Sequence, residues 1–246
     1  MYIHHIYVRT YTSLLHHKDT TMKTILILLI LVLTTPTYAW HDFTHTAIAI
    51  SLGDYAFTAT APDAAKIKAP TEGANHYRNN PYDHDVTSED VTTQAPLHDT
   101  LTGHSSTGCL YGSILASTRT YQARTKEGKY AMYHLGYVAH YVGDLAMPLH
   151  NTIYDDFNKK NHKAFDAVLE TICKDNPDVF KDAVAVSITT EAELITEICK
   201  LANKSIKLAS LCKEEDRTIT EAEATTQCTM ATSLLKGICV YVGYTK

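Results

Sequence analysis

Residues 140–150 read HYVGDLAMPLH, and this stretch constrains the fold more than any other part of the chain. It closes a segment, 130–147, whose apolar residues recur every third or fourth position, the period of an amphipathic helix. Yet it carries His140, Asp144 and, just beyond, His150 among apolar neighbours. Charged side chains are rarely buried unless they are paired or hold a metal. His140 and Asp144 are four residues apart and share one helix face. Pro148 cannot donate to the helix ladder, so the helix should stop near Met147, leaving His150 free to turn back toward that face. After the polar loop NTIYDDFNKKN, His162 and Asp166 repeat the same spacing on a new helix. One such pair is commonplace on a helix surface. Two of them, with a histidine between and apolar sequence around, form a pattern of zinc ligands.

The rest of the chain also reads as helices joined by polar loops. Beyond 130–147, helical periods run along 44–60, 108–124, 161–174, 178–186, 189–212 and 218–243, with Asp178 and Thr190 as N-caps. Pro70–Gly103 is rich in Pro, Asn, Asp, Thr and His and reads as one long irregular loop, of the kind that is functional or disordered inside a compact domain. Alternation at period two is confined to short ambiguous runs such as 183–188. The expected class is all-α, a single-domain helical bundle.

The first residues read as an address. Met22 and Lys23 open MKTILILLILVLTTPTYAW, a basic start, a short apolar core and a small residue, Ala39, ahead of Trp40. That is the plan of a secretory signal peptide over 1–39, too short to span a bilayer comfortably. Residues 1–21 fit no part of that plan, and we read Met22 as the start. The mature domain is then 40–246, secreted or periplasmic, with no stable membrane anchor. Losing three basic residues and one acidic residue takes the formal charge from −5 to −7, which argues against strong binding of duplex DNA. All six cysteines lie in the mature chain. An even count in an exported chain predicts disulfides, of unspecified pairing. No Cys-x-x-Cys pair suggests a thiolate zinc site. Asn203-Lys204-Ser205 is a glycosylation sequon.

Trp40 is the only tryptophan, and it becomes the first mature residue, followed by HDFTHTAIAIS. A new N-terminus supplies an α-amine that can ligate a metal, and His45 lies one helical turn further on. With this, the chain resembles the superfamily of zinc-dependent phospholipases C and single-strand-specific secreted nucleases. That superfamily begins its mature chain with Trp and holds three zinc ions in an all-helical domain. The resemblance covers most of the mature chain to about residue 175; the last seventy residues carry little of it. It implies three sites. The amine and carbonyl of Trp40, with His45, would bind one zinc. Asp63, His76, His140 and Asp144 would bind a second, with Asp144 bridging to the first. His150, His162 and Asp166 would bind the third. His41, His84, His98, His104 and His134 match no ligand position.

Clustered zinc ions suit phosphodiester hydrolysis, in which metal-activated water attacks phosphorus and the metals neutralise phosphoryl charge. Asp63 can orient or deprotonate that water. Lys66, where the nuclease relatives often carry Arg, can stabilise transition-state charge or be a solvated surface lysine. Tyr77 is the best aromatic for the substrate pocket. The short His150–His162 spacing, without the Gly-Gly-Asn insertion usual in the nuclease branch, favours a phospholipase C-like enzyme. Against it, Phe43, Ala64 and Gly73 stand where a choline cage needs aromatics and a carboxylate. The expected function is a phospholipase C-like phosphodiesterase acting on phospholipid. A nuclease acting on single-stranded nucleic acid, or an exported zinc-binding protein without catalysis, are the alternatives. Nothing in the sequence implies a protein partner.

Overall fold

Residues 40–102 and 105–244 are described by a computed structural model; the expected signal peptide (1–39) and His104 lie outside the described residues. Helices follow in the order α1 (Asp42–Ile48), α2 (Ala61–Lys66), α3 (Ser88–Gln94), α4 (Leu110–Arg124), α5 (Met132–Ala146), α6 (Asp156–Ala167), α7 (Glu170–Asp175), α8 (Glu191–Glu214) and α9 (Glu221–Tyr241). Tight 3₁₀ segments link several of them. Among the described residues there is no strand, only an isolated bridge between Arg78 and Gly108. The all-α class is as the periodicity predicts.

Helix α5 is the axis of the fold. Its residues from Val138 to Ala146 are buried without a break, as expected of a helix that is apolar all round. It packs against α4, the 3₁₀ segment Ala49–Thr60, α8 and α9. Two glycines allow the close approach. A Cβ at Gly136 would lie 2.2 Å from Thr58 Oγ1, and one at Gly143 would lie 2.5 Å from His45 Nδ1. The helix ends at Met147, which is extended (φ −79°, ψ 110°), and Pro148 opens a 3₁₀ turn, Pro148–Asn151, as the proline predicts. Asn151 Nδ2 donates to the carbonyls of Leu145 and Met147 at 3.0 and 2.9 Å, satisfying helix-end acceptors that would otherwise be orphaned.

Several expectations need correcting. The helix expected over 44–60 is broken: Gly53 sits at φ 59° inside the 3₁₀ segment. The loop 70–103 contains α3, started by a capping box of Thr87 and Asp90, and 3₁₀ turns at Glu72–His76 and Ala95–Leu97. Segment 178–186 is not helical and Asp178 is not an N-cap; from Ala183 to Thr189 the chain is an irregular strap. The strap is fixed to α9, where Val186 N–H donates to Ser233 O at 3.2 Å and Lys236 Nζ to Ala183 O at 2.7 Å. The two long C-terminal helices start as their caps dictate, Thr190 with Glu193 and Thr220 with Glu223.

The expected disulfides are absent. All six cysteines, at 109, 173, 199, 212, 228 and 239, are free thiols. They serve as small residues in or against the core: Cys109 Sγ lies 3.2 Å from Asn75 Oδ1, Cys239 Sγ 3.8 Å from Ser51 Oγ and Cys212 Sγ 3.4 Å from Arg217 Nη1, while Cys173 neighbours Cys228 without a bond between them. The sequon lies inside α8. Asn203 clasps the Val86 backbone by accepting from its N–H (2.7 Å) and donating to its carbonyl (3.0 Å), and Ser205 is buried, bonded to Leu145 O. The folded chain offers no glycan acceptor there. No described helix is long and apolar enough to cross a membrane.

Candidate metal centre

Five elements converge on α5. Helix α1 brings His45, α2 brings Asp63, the turn Glu72–His76 brings His76, α5 itself carries His140 and Asp144, the turn Pro148–Asn151 carries His150, and α6 carries His162 and Asp166. The donor atoms draw together in three groups, His45–Asp63–His140, His76–His140–Asp144 and His150–His162–Asp166, each within 4.8 Å of one another. The last group is the one the resemblance implies. The first two are less separate than expected: Asp63 Oδ1 lies 3.7 Å from both His76 Nδ1 and His140 Nε2, as the resemblance implies, but His45 also groups with Asp63 and His140. The Asp144 carboxylate is divided: Oδ1 lies 3.5 Å from His45 Nε2, while Oδ2 lies 3.1 Å from His76 Nδ1 and 3.3 Å from His140 Nε2. Its oxygens therefore face the ligand nitrogens of the first two groups at once, and Oδ1 lies equally close, 3.5 Å, to His150 Nδ1, the nitrogen of the third group that is bonded to His76 O.

The hydrogen bonds behind the rings reveal what the front must hold. His140 Nδ1 lies 2.7 Å from Ala59 O, His150 Nδ1 2.7 Å from His76 O, and His162 Nδ1 2.7 Å from Asn158 Oδ1. A carbonyl oxygen only accepts, so each ring carries a proton on Nδ1, and the neutral form of each then presents a bare lone pair at Nε2. The Asn158 oxygen is identified by its own amide, which donates to Leu149 O at 2.8 Å. Yet His150 Nε2 and His162 Nε2 face each other at 3.2 Å, with the rings stacked 5.0 Å apart. Two acceptors at that distance repel unless a proton or a metal cation lies between them. Burial holds His162 down at about 3, assisted by His150, and holds His150 below its ordinary value. A shared proton is thus disfavoured near neutral pH, and a cation fits.

The carboxylates fit the same conclusion. Burial, then Asp144, pushes Asp166 well above the ordinary carboxylate range, and its Oδ1 has no hydrogen-bond partner. Both Asp144 oxygens and both His45 nitrogens are buried without a well-aligned hydrogen bond. Such orphaned buried atoms are costly, and neutral imidazoles with carboxylates are a donor set suited to a divalent metal. Burial raises Asp63 and Asp144, but the neighbouring groups together, His140 first among them, outweigh it, taking Asp63 to about 2 and Asp144 well below its usual value.

Trp40 is wholly buried and leads directly into α1, whose Thr44 and His45 amides bond to His41 O. Lys66 Nζ pairs with Asp63 Oδ1 and is mostly buried, so it is not a freely solvated lysine. Tyr77 packs its ring against Gly108, and its hydroxyl donates to Ser105 O at 2.6 Å. His84 pairs with Asp90 and His98 with Asp99; His41 and His134 join none of the three groups either.

The sequence reading missed the residues that aim the ligands. Asn158 orients His162. Glu72 lies behind His76, 3.2 Å from its Nε2, and accepts from Tyr141 Oη at 2.7 Å. Glu170 of α7 accepts from the Thr44 hydroxyl at 3.4 Å and so braces the first turn of α1, the helix that carries His45. Such outer partners tune metal affinity by about 10–100-fold. Asn158→Ala is therefore expected to weaken one bound metal by about that factor and spare the others; competition with a chromophoric chelator measures it, and unchanged affinity would contradict the role.

Residues 41–162 match the family model described as S1/P1 Nuclease. The matched span holds every residue of the three groups except Asp166. No curated protein matches the chain.

Proposed function

We propose that this chain, a member of the phospholipase C/S1-P1 nuclease superfamily and thus of its phosphodiester hydrolases, is an exported enzyme that uses three zinc ions to cleave single-stranded nucleic acid. The observation that carries the metal reading is the pair of bare Nε2 atoms of His150 and His162, 3.2 Å apart. The substrate reading rests on the matched family and reverses the order expected from the sequence. A phospholipase C-like activity is the second reading, supported by the short His150–His162 spacing.

The ligands we assign are those the resemblance implies: Trp40 and His45; Asp63, His76, His140 and Asp144; His150, His162 and Asp166. Zinc held there would acidify an attacking water and neutralise phosphoryl charge. The protein residues have separate tasks. Asp144, with an oxygen toward each of two groups, fixes their separation. Asp63, ionised with a pKa of about 2, is too weak a base to remove a proton from water efficiently near neutrality; it orients the water by accepting its hydrogen bond. The Lys66 ammonium, held against Asp63, brings positive charge to the transferring phosphoryl group. Tyr77 flanks the substrate.

The experiment is an assay of the processed protein on single-stranded DNA and RNA, duplex DNA, phosphatidylcholine vesicles and a simple aryl phosphodiester. Cleavage of the single strands and the aryl ester is expected. Release of diacylglycerol without nucleic-acid cleavage would restore the phospholipase reading. Zinc bound with no turnover of any substrate would favour the non-catalytic one.

The electrostatics predict a pH dependence for the chelator-treated protein. Folding keeps His45, His150 and His162 neutral by burial, while the unfolded chain protonates them near the ordinary 6.5. Below 6.5 the unfolded state therefore binds more protons, and stability falls as the pH drops, for His162 until about 3. Asp166, whose pKa is raised, opposes this, but it is one carboxyl against three imidazoles. His76, held at about 9 despite burial by its bonds to Asp144 and Glu72, adds stability only as the pH falls from about 9 to 6.5. Thermal melts should shift downward on acidification below 6.5; an upward shift there would contradict the neutral, ligand-ready histidines.

A further inference from the structure

Away from the metal centre, α8, α9 and the strap enclose a groove of about 490 Å³. Its floor is apolar, made by Val186, Leu201, Met230 and Leu234. The groove is built into the fold. Val186 N–H is bonded to Ser233 O, and Gly237 lets the strap lie so close that a Cβ there would sit 2.5 Å from Val186 O. One rim is cationic on balance, because Lys200, Lys204 and Lys207 line it with one carboxylate, Glu197. Only Lys200 has an acidic partner, Glu197. Lys204 reaches across to the Met230 thioether at 3.4 Å, a weak acceptor, and neither Lys204 nor Lys207 has a carboxylate partner among the described residues.

We propose that this groove binds an anionic amphiphile, one hydrocarbon chain ending in a carboxylate or a phosphate. The chain would cover the apolar floor, and the head would pair with Lys204 and Lys207. The charge pattern chooses this occupant: an apolar cleft of ligand size with cations on one rim suits an apolar body carrying an anion. No aromatic residue lines the groove, so it lacks the stacking platform that single-stranded nucleic acid requires. The site stands independently of the reading of the metal centre.

The test is calorimetric titration of the processed protein with oleate and with dodecyl phosphate below their micelle concentrations. Dodecanol and inorganic phosphate serve as the chain-only and head-only controls. Saturable binding near one molecule per chain is expected for at least one of the two amphiphiles; whichever binds assigns the head group. The controls should bind at least about tenfold more weakly. Reversing the rim with Lys204→Glu and Lys207→Glu should weaken binding about tenfold, and filling the floor with Met230→Trp should abolish it. Phosphodiesterase activity should be unchanged in both variants, which also reports that they fold. No saturable binding by the unmodified protein would overturn the proposal. So would binding that survives both the rim reversal and Met230→Trp.

Discussion

Asp144→Asn is expected to lower phosphodiester hydrolysis by at least about 10³-fold, the scale of losing a principal electrostatic contributor. The change keeps size and shape but removes the negative charge, and an amide NH₂ cannot replace a ligating oxygen. Asp144 Oδ1 lies beside His45, and Oδ2 lies beside His76 and His140. One substitution therefore reaches two ligand groups. The third group has Asp166 as its own carboxylate and should keep its ion. The variant should then retain about one zinc per chain, with near-native helical content and almost no turnover. Single-turnover kinetics on a labelled oligonucleotide, paired with metal analysis, tests this. A variant that retains half its activity would show that Asp144 bridges nothing.

Much of this centre could be read from the sequence because helices make spacing into geometry. His140–Asp144 and His162–Asp166 share helix faces by their spacing alone, and Pro148 sets the turn that brings His150 back. Thr190 marks a helix start through a local bond to Glu193. The failures have a common cause in contacts distant along the chain. Residues 178–186, which run into the strap, carry apolar residues that look helical, but Ser233, Lys236 and Gly237, some fifty residues away, hold them extended or turned. Helix α3 is short and polar, so no apolar period announces it; its capping box alone was available as a signal. Asn158 and Glu72 gain their roles only from where His162 and His76 fall. The even cysteine count was a compositional argument for bridges, and the fold uses the thiols as packing.

The second large effect concerns the N-terminus that cleavage after Ala39 would create. If the amine of Trp40 ligates zinc, a protein that keeps one extra glycine before Trp40 offers an amide nitrogen instead, whose lone pair is delocalised into the carbonyl. The zinc assigned to Trp40 and His45 should be lost, and Asp144 should be left with one metal in place of two. The His150–His162–Asp166 group should be untouched, since its ligands come from a turn and a helix remote in sequence. Hydrolysis should fall by about 10²-fold or more, as when one preorganised electrostatic contributor is removed. The comparison is between the chain beginning at Trp40 and the same chain with Gly ahead of it, both assayed for zinc content and single-turnover rate. Equal zinc and equal rates would remove Trp40 from the ligand set.

The central claim is that nine residues spread from Trp40 to Asp166 hold a cluster of metal ions. Elemental mass spectrometry of the chain beginning at Trp40, purified without chelators and with protein measured by amino-acid analysis, tests it most directly. The result predicted is close to three zinc ions per chain. One zinc or none would contradict it.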